Sequence, residues 1–332
     1  MRRVKFFLLV AAGIILSWTL FLPVAFSTTP VTLMSIPTSS GVFPYVVSIA
    51  RVLSTYCPDF SVIVSESGGN MDNTHQIRSG QARLAHSVAF TDYASYLGMG
   101  PFKGKPFHDF RILWYYQKSL VQIAVAQDSG IETLRDLNGR TFSAGGTGTA
   151  AASLVRGMFD ILDIQPKYFE SDQVEAADAY ASGEIDGVVK VGPAPDSFFT
   201  NLNAARPVRF LSLSLEDMAR VLKAIPGARI TFLPTNAYES VDYEVRCLAT
   251  YNGIQADMSF SQEEGYHIFK AMWEDGKEIW QHAYPVGKDN DIPRITLEAA
   301  LTPLHAGTVQ YLEEHGFYVP EELIPEEYVP VR

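Results

Sequence analysis

The run Gly145-Gly146-Thr147-Gly148-Thr149 has the residue types of an anion-binding turn. It follows a predicted strand at 141–144 and precedes a predicted helix at 150–162. Glycines let the backbone approach a ligand closely, and free N–H groups at a helix N-terminus attract negative charge. The hydroxyls of Thr147 and Thr149 add donors. The lysine of a phosphate-binding P-loop is missing, and a capping turn without a ligand explains the same residues equally well.

Two further small, polar turns follow predicted strands earlier in the chain. Ser39, Ser40 and Gly41 come after the strand 31–36, and Ser67-Gly68-Gly69-Asn70 comes after the strand 61–64. The carboxyl ends of neighbouring parallel strands meet at one edge of a sheet, so we expect the three turns to border one crevice. Their coincidence favours a small-ligand site more strongly than any single turn.

Lys190 ends an apolar predicted strand at 185–189 and lies next to the same crevice. A cation at that position would pair with a carboxylate of a ligand. An ordinary solvated lysine is the alternative. The residues Tyr115-Tyr116-Gln117-Lys118 are expected where the chain crosses the crevice, and they either line it or pack the two sides together.

Metal sites and nucleophilic catalysis lack their characteristic patterns. The seven histidines show no metal-binding spacing, and no G-x-S-x-G nucleophile turn is present. We therefore predict no metal, no cofactor and no catalytic residue. Two cysteines, Cys57 and Cys247, are too few for a disulfide scaffold or a four-cysteine zinc site. Two buried free thiols are favoured over a bridge between them.

The composition excludes two classes of protein. The chain has 332 residues, of which 47% are hydrophobic and 19% charged, and this balance is not that of a disordered protein. There are 26 Lys and Arg against 37 Asp and Glu, a net charge of −11. Nucleic-acid binding needs clustered positive charge to displace counterions, so we predict no nucleic-acid partner.

The first 27 residues have the parts of an export signal. Residues 1–5 are cationic, residues 6–26 carry no charge, and Ala25 and Ser27 are the small residues of a cleavage site after Ser27. The uncharged run is also long enough to remain as a membrane anchor, which is the alternative. Either way, we predict a periplasmic body. Removing Arg2, Arg3 and Lys5 changes its charge from −11 to −14.

Strand and helix alternate along the exported body, once in 31–115 and again in 120–245. This alternation predicts an α/β fold of two lobes, each a mainly parallel sheet flanked by helices. The apolar run 111–126 is too long for one ordinary strand. A strand pair, or one strand that passes between the lobes, fits this run.

The predicted division of the chain has three parts. Residues 1–27 are the signal or anchor, residues 28–115 together with 250–332 form lobe one, and residues 118–247 form lobe two. A cleft between the lobes would hold the ligand.

Five stretches, in their order and spacing, resemble the TAXI solute-binding proteins, the extracytoplasmic subunits of TRAP-type secondary transporters. The resemblance covers 31–318, and its last stretch is the most particular to that family. The stretches are IRSGQARLA at 77–85, DSGIETLRDLNGR at 128–140, GGTGT at 145–149, GEIDG at 183–187 and PLHAGTVQY at 303–311.

The resemblance implies a two-lobe periplasmic-binding-protein fold, type II-like, and no enzymatic activity. It implies a monomer that captures a small organic anion, of the glutamate or 2-oxoglutarate type, and delivers it to a TRAP-type permease. The residues at the family's binding positions, together with those of the three turns, give the candidate ligand-binding set. The set is Ser39, Ser40, Phe43, Ser67, Gly68, Asn73, Phe90, Thr91, Asp92, Gly145, Gly146, Thr147, Gly148, Thr149, Lys190 and Gly192.

The sequence departs from the family inside this set. The turn at 38–45 does not match the family's glycine-rich turn with paired tyrosines, Phe90-Thr91-Asp92 stands for Gln-Ser-Asp, and Lys190 stands where an uncharged residue is usual. A particular ligand such as glutamate is therefore not carried over. Two other functions are compatible with the sequence: an exported sensor or interaction protein on the same fold, and, less favoured, an exported transferase.

Overall fold

The computed structural model describes residues 28–38, 40–146, 149–225 and 227–331. The predicted signal or anchor lies outside these ranges, as do Ser39, Thr147 and Gly148 of the candidate set. Within the described ranges, no helix combines the length and the apolar character needed to cross a membrane.

The strands of the described chain join in a single hydrogen-bonded sheet. They are β1 (Thr29–Met34), β2 (Phe60–Ser65), β3 (Leu84–Val88), β4 (Phe110–Ala126), β5 (Thr141–Ser143), β6 (Lys167–Tyr168), β7 (Gly187–Gly192), β8 (Val208–Phe210), β9 (Arg229–Leu233) and β10 (Val245–Asp257). Eight of them lie in the order β2-β1-β3-β10-β4-β7-β5-β6, while β8 pairs with β4 and β9 with β10.

Helices connect and cover these strands. They are α1 (Phe43–Tyr56), α2 (Asn70–Arg78), α3 (Ala89–Leu97), α4 (Ala150–Leu162), α5 (Gln173–Ser182), α6 (Ser197–Ala205), α7 (Leu215–Ala224), α8 (Gln262–Lys270), α9 (Lys277–Ala283), α10 (Ile292–Ala299) and α11 (Ala306–Glu314). A π-helical turn at Ala271–Asp275 lies between α8 and α9. The mixed α/β fold predicted from the sequence is confirmed.

The long strands β4 and β10 run antiparallel through the middle of the sheet. On one side, β10 pairs with β3 of the parallel group β1, β2 and β3. On the other side, β4 pairs with β7 of the parallel group β5, β6 and β7. Nearly every residue of β4 is buried. Burial on both faces explains why this run is apolar without alternation.

The pairing register places the ends of the two parallel groups opposite each other. Val88, the last residue of β3, pairs with Asn252, which in turn pairs with Gln117. Gly192, the last residue of β7, pairs with Leu120. The carboxyl ends of both groups therefore face the same central stretch of β4, and the region between the loops that follow these strands is the candidate cleft.

The buried apolar side chains form three clusters. The first core draws on residues 31–116 and 251–324. The second core, around Phe142, Phe159 and Leu248, and the third, around Tyr180 and Phe210, draw on residues 120–248. On the basis of these separate cores, we propose the division into lobe one and lobe two stated above.

Cys57 lies in the first core and Cys247 in the third, and both thiols are free and buried. Burial raises the pKa of Cys57 to about 11 and that of Cys247 to about 12. Both cysteines are therefore small apolar residues of the interior, as the favoured interpretation of the sequence proposed.

Two elements differ from what their local sequence predicts. The pattern at 131–137 predicts a short helix, whereas the structure has only a 3-10 turn at Leu134–Leu137, closed by a capping box between Thr133 and Asp136. The pattern at 247–251 predicts a short strand, whereas β10 extends over Val245–Asp257 because it pairs with β9 at one end and with β3 at the other.

Candidate ligand-binding cleft

The described members of the candidate set lie on the loops that border the cleft or on the first turns after them. Ser40 and Phe43 follow β1. Ser67, Gly68 and Asn73 follow β2, and Phe90, Thr91 and Asp92 follow β3. Gly145, Gly146 and Thr149 follow β5, and Lys190 and Gly192 end β7. The topology thus brings the set to one edge of each lobe's parallel strands.

The helices of lobe one that begin at this edge have no side-chain cap. Their N-cap residues are Val42 for α1, Gly69 for α2 and Val88 for α3, none of which carries a side-chain acceptor. In α1, the N–H of Phe43 bonds to the Ser40 carbonyl and Pro44 has no N–H. The first turns of α2 and α3 therefore present the more open N–H groups.

The helices of lobe two are capped by their own side chains. Thr149 accepts from the N–H of Ala152 at the start of α4, Asp172 caps α5, Asp196 caps α6 and Ser214 caps α7. The Thr149 hydroxyl also donates to the Gly146 carbonyl at 2.7 Å. The threonine expected to donate to a ligand is thus engaged within its own turn.

Asn73 and Ser67 hold the strand ends of lobe one together. The Asn73 amide donates to the carbonyls of Ser35 and His86 at 2.8 and 2.7 Å, and the Ser67 hydroxyl donates to the same Ser35 carbonyl at 2.8 Å. Gly69, at φ 120°, permits the turn that begins α2, and Gly68 donates to Asp72 at 3.1 Å. These residues fix the shape of the lobe-one edge.

A buried chain of polar contacts crosses lobe one beneath this edge. His86 Nδ1 lies 2.8 Å from Asn70 Oδ1, and His86 Nε2 lies 2.9 Å from the Tyr116 hydroxyl. The Tyr116 ring stacks on Tyr45, with ring centroids 3.7 Å apart. Burial lowers the pKa of His86 to about 3, so the imidazole is neutral in the folded protein.

Lys190 forms an ion pair inside lobe two. Its Nζ lies 2.9 Å from Asp196 Oδ1, and the same oxygen accepts from the N–H of Phe198. The Asp196 N–H donates to the Tyr238 hydroxyl at 2.8 Å. Gly192 is required by this turn, because a Cβ there would lie 2.9 Å from Asp196 Oδ2. The positive charge of Lys190 is therefore matched by a neighbour from its own lobe.

Asp92 and Tyr115 form a buried pair. The Tyr115 hydroxyl donates to Asp92 Oδ2 at 2.7 Å, and both residues are at most 1% exposed. Phe90 lies two residues earlier on α3 and packs against the second core, which belongs to lobe two. Gly145, at φ 99°, forms the turn before α4.

Sequence reasoning missed His86 and Asp196 as members of this region. His86 gave no signal, because its role depends on Asn70 and Tyr116, which are distant in sequence. Asp196 did give a sequence signal, because an aspartate before an apolar run is a common N-cap residue. Within the described ranges, no group of three or more His, Cys, Asp or Glu residues is placed to hold a metal ion.

Two solved structures are similar to this chain in fold. A TctC solute-binding protein from Polaromonas matches at TM-score 0.50 and 14% identity, covering 79% of this chain and 89% of its own. XAC2383 from Xanthomonas citri, solved with ATP bound, matches at TM-score 0.50 and 10% identity, covering 86% and 95%. At these identities, the likeness shows the fold of periplasmic solute-binding proteins.

The NMT1-like family model matches residues 35–316. That range contains every strand from β2 to β10, both sides of the cleft and every member of the candidate set. Because the match extends over well more than half of the chain, the protein belongs to the NMT1-like family.

Proposed function

We propose that this protein is an exported solute-binding protein that captures a small organic anion between its two lobes. The observation that carries the proposal is the absence of capping side chains on the lobe-one helices α1, α2 and α3, the helices that begin at the cleft edge. The open N–H groups of α2 and α3 are the donors that a carboxylate needs.

The charges around these helix ends are compatible with an anion. Asp72 and Asp92 are the acidic residues of the first turns of α2 and α3. Asp72 already accepts from Gly68, and burial raises the pKa of Asp92 to about 7. Asp92 is therefore largely protonated in mildly acidic solution and adds little repulsion there.

In this proposal, the two lobes have different roles. Ser40, Phe43, Ser67, Gly68 and Phe90 surround the lobe-one helix ends. Thr91 lies in the first turn of α3, and Asn73 shapes the edge from below. From lobe two, the turn at Gly145 and Gly146 approaches the other side of the ligand, while Thr149 and Lys190 remain engaged with their own lobe.

A thermal-shift screen of the exported body tests the proposal. The panel contains small mono- and dicarboxylates, size-matched amides and size-matched amines. We expect carboxylates to stabilise the protein, by about 2.7 kcal/mol at a concentration one hundred times Kd. Stabilisation by the amides or amines alone would exclude an anionic ligand.

We further propose that the protein is exported and that its partner is a TRAP-type permease. The cationic start, the apolar run and the small residues before Thr28 support export, and the resemblance at 303–311 supports the transporter class. Mass spectrometry of the protein recovered from cells tests cleavage after Ser27. Uptake of the identified ligand into vesicles containing a TRAP-type permease, with and without this protein, tests the partner.

A further inference from the structure

Helix α3 connects the two lobes through one of its faces. Phe90 packs against the second core, which belongs to lobe two. Tyr93 lies beside Gly227 of lobe two, since a Cβ on Gly227 would be 3.0 Å from the Tyr93 ring. Residues three apart on a helix share a face. This face of α3 is therefore a contact of lobe one with lobe two.

Another side of the same helix rests on the crossing strands. Asp92 is 1% exposed, and its Oδ2 accepts from the Tyr115 hydroxyl of β4 at 2.7 Å. The Tyr115 ring lies so close over Gly253 of β10 that a Cβ on Gly253 would overlap it. The Thr296 hydroxyl accepts from the Tyr115 N–H at 3.0 Å and donates to the Tyr115 carbonyl at 3.2 Å.

Tyr115 occupies an irregular part of the crossing strands. The register between β10 and β4 shifts at Asn252/Gly253 and again at Ile254/Gln255, on either side of the pairing between Gly253 and Tyr115. Such shifts bend and twist a strand pair locally. β4 and β10 are also the strands that run through both lobes, so a change at Tyr115 is placed to alter the angle between them.

The surroundings of Asp92 favour the protonated form of its carboxyl group over the ionised form. Among the residues that the structure describes, the groups that face it are the Tyr115 hydroxyl from β4 and the Ser87 hydroxyl from β3, and no charged side chain contributes. The segment of β10 that pairs with β3, residues 252–256, is uncharged. Burial raises the pKa of Asp92 to about 7, and the hydrogen bond from Tyr115 and the nearby Ser87 hydroxyl only partly oppose this effect. An ionised Asp92 is therefore a buried charge without a counterion.

We propose that the Asp92–Tyr115 pair is a proton-sensitive latch: protonated Asp92 keeps α3 docked on the crossing strands, and loss of the proton releases α3 and separates the lobes. The inference rests on the proposed function only in that a binding protein of this fold opens and closes. It can be tested without any ligand.

The direction of the pH dependence follows from the two states. In the docked arrangement the pKa of Asp92 is raised, whereas in an open, hydrated arrangement it returns to about 4. The stability of the docked arrangement is therefore complete below about pH 4 and is lost as the pH rises towards 7. The ratio of closed to open protein falls by about tenfold per pH unit in this window.

Distances between spin labels on the two lobes test the latch. Val174 of lobe two and Tyr318 of lobe one are 70% and 82% exposed, so V174C and Y318C accept nitroxide labels while the buried native thiols remain unlabelled. Pulsed EPR on the ligand-free protein is recorded from pH 5 to 9. The variant G227A supplies the open reference, because a Cβ at Gly227 would overlap Leu301 of lobe one.

We expect the parent protein to shift from the short to the long distance as the pH rises from 5 to about 7, with little further change above pH 7. Asp92→Asn, which keeps an acceptor for Tyr115 but cannot ionise, should stay at the short distance throughout. The matched control Asp178→Asn, on the exposed face of α5, should behave as the parent protein does. A parent protein with one distance at all pH values would overturn the proposal, even if Asp92→Asn does not fold. So would a pH-dependent shift that persists in Asp92→Asn.

Discussion

The two lobes differ at the N-termini of the helices that follow their parallel strands. In lobe two, Thr149, Asp172, Asp196 and Ser214 cap the helices that follow the strands. In lobe one, the helices that begin at the cleft start at Val42, Gly69 and Val88. A capping side chain accepts hydrogen bonds from the N–H groups of the first helical turn, and these N–H groups are then not free to bind a ligand. The uncapped helix ends of lobe one are therefore the ones that can donate to an external acceptor.

This difference also changes the interpretation of the glycine turn at 145–149. The sequence placed the anion there, because the turn has the glycines and threonines of a ligand cradle. The contacts of Thr149 with Ala152 and Gly146 make the described part of the turn a well-satisfied helix start. We therefore propose that the anionic group lies against lobe one and that this turn closes over the remainder of the ligand.

The largest expected effect is a loss of stability in acid that arises in lobe one and not in lobe two. All seven histidines lie outside residues 118–247. Burial lowers the pKa of His86 to about 3, so its folded pKa is below its unfolded value and its contribution to stability is lost as the pH falls below about 6.5. Between pH 7 and pH 4, the difference in unfolding free energy between the parent protein and His86→Gln should shrink by about 3 kcal/mol.

Urea unfolding of both proteins at several pH values measures that difference. The comparison between variants is needed because Asp92, with its raised pKa, acts in the opposite direction over the same range. His282→Gln, at an exposed position of lobe one, is the control and should show no such trend. A difference independent of pH would mean that His86 is not held neutral by its burial.

A smaller effect is expected from exchanging the capping pattern. Val88→Ser gives α3 a cap of its own, so it should raise the unfolding free energy by about 1 kcal/mol and weaken carboxylate binding several-fold. Ser214→Ala removes a cap from α7 of lobe two and should lower stability by about 1 kcal/mol without changing affinity. Urea unfolding and calorimetric titration measure both quantities. Unchanged affinity in Val88→Ser would remove α3 from the site.

The smallest effect is expected at Lys190. Its partner Asp196 keeps its capping bonds when the lysine is removed, and the Lys190 side chain is 32% exposed. Lys190→Ala should lower stability by less than about 1 kcal/mol and change affinity less than Val88→Ser does. A loss of more than tenfold in affinity would instead show that Lys190 exchanges Asp196 for the ligand, as the sequence first suggested.

Local patterns in the sequence were sufficient for the main elements. The alternation of strands and helices, and the length of the run at 111–126, predicted the α/β fold and the crossing strand β4, observed at Phe110–Ala126. Ser261 and Glu264 have the spacing of a capping box, a pattern visible in the sequence, and α8 begins there. Helices α6 and α7 were not predicted, although Asp196 and Ser214 stand before them as caps.

The site was less predictable, because its properties depend on contacts between distant residues. Asp92 has an ordinary position in the first turn of a helix, and only Tyr115 and the strands beneath it make it a buried acid. Lys190 and Asp196 are six positions apart, but their pairing needs the turn at Gly192. The polarity and spacing of residues in the sequence can indicate such candidates, but their burial and their contacts in the fold determine their charge and their role.

The position of β10 between β3 and β4 has a consequence for the order of folding. Residues 120–248 contain most of what the second and third cores need, whereas the first core needs residues beyond 250. Until β10 has been made, β3 and the lobe-one half of β4 are unpaired edges, which are templates for aggregation. We expect the middle of the chain to mature first, and a chain truncated before Tyr251 to depend on chaperones to stay soluble.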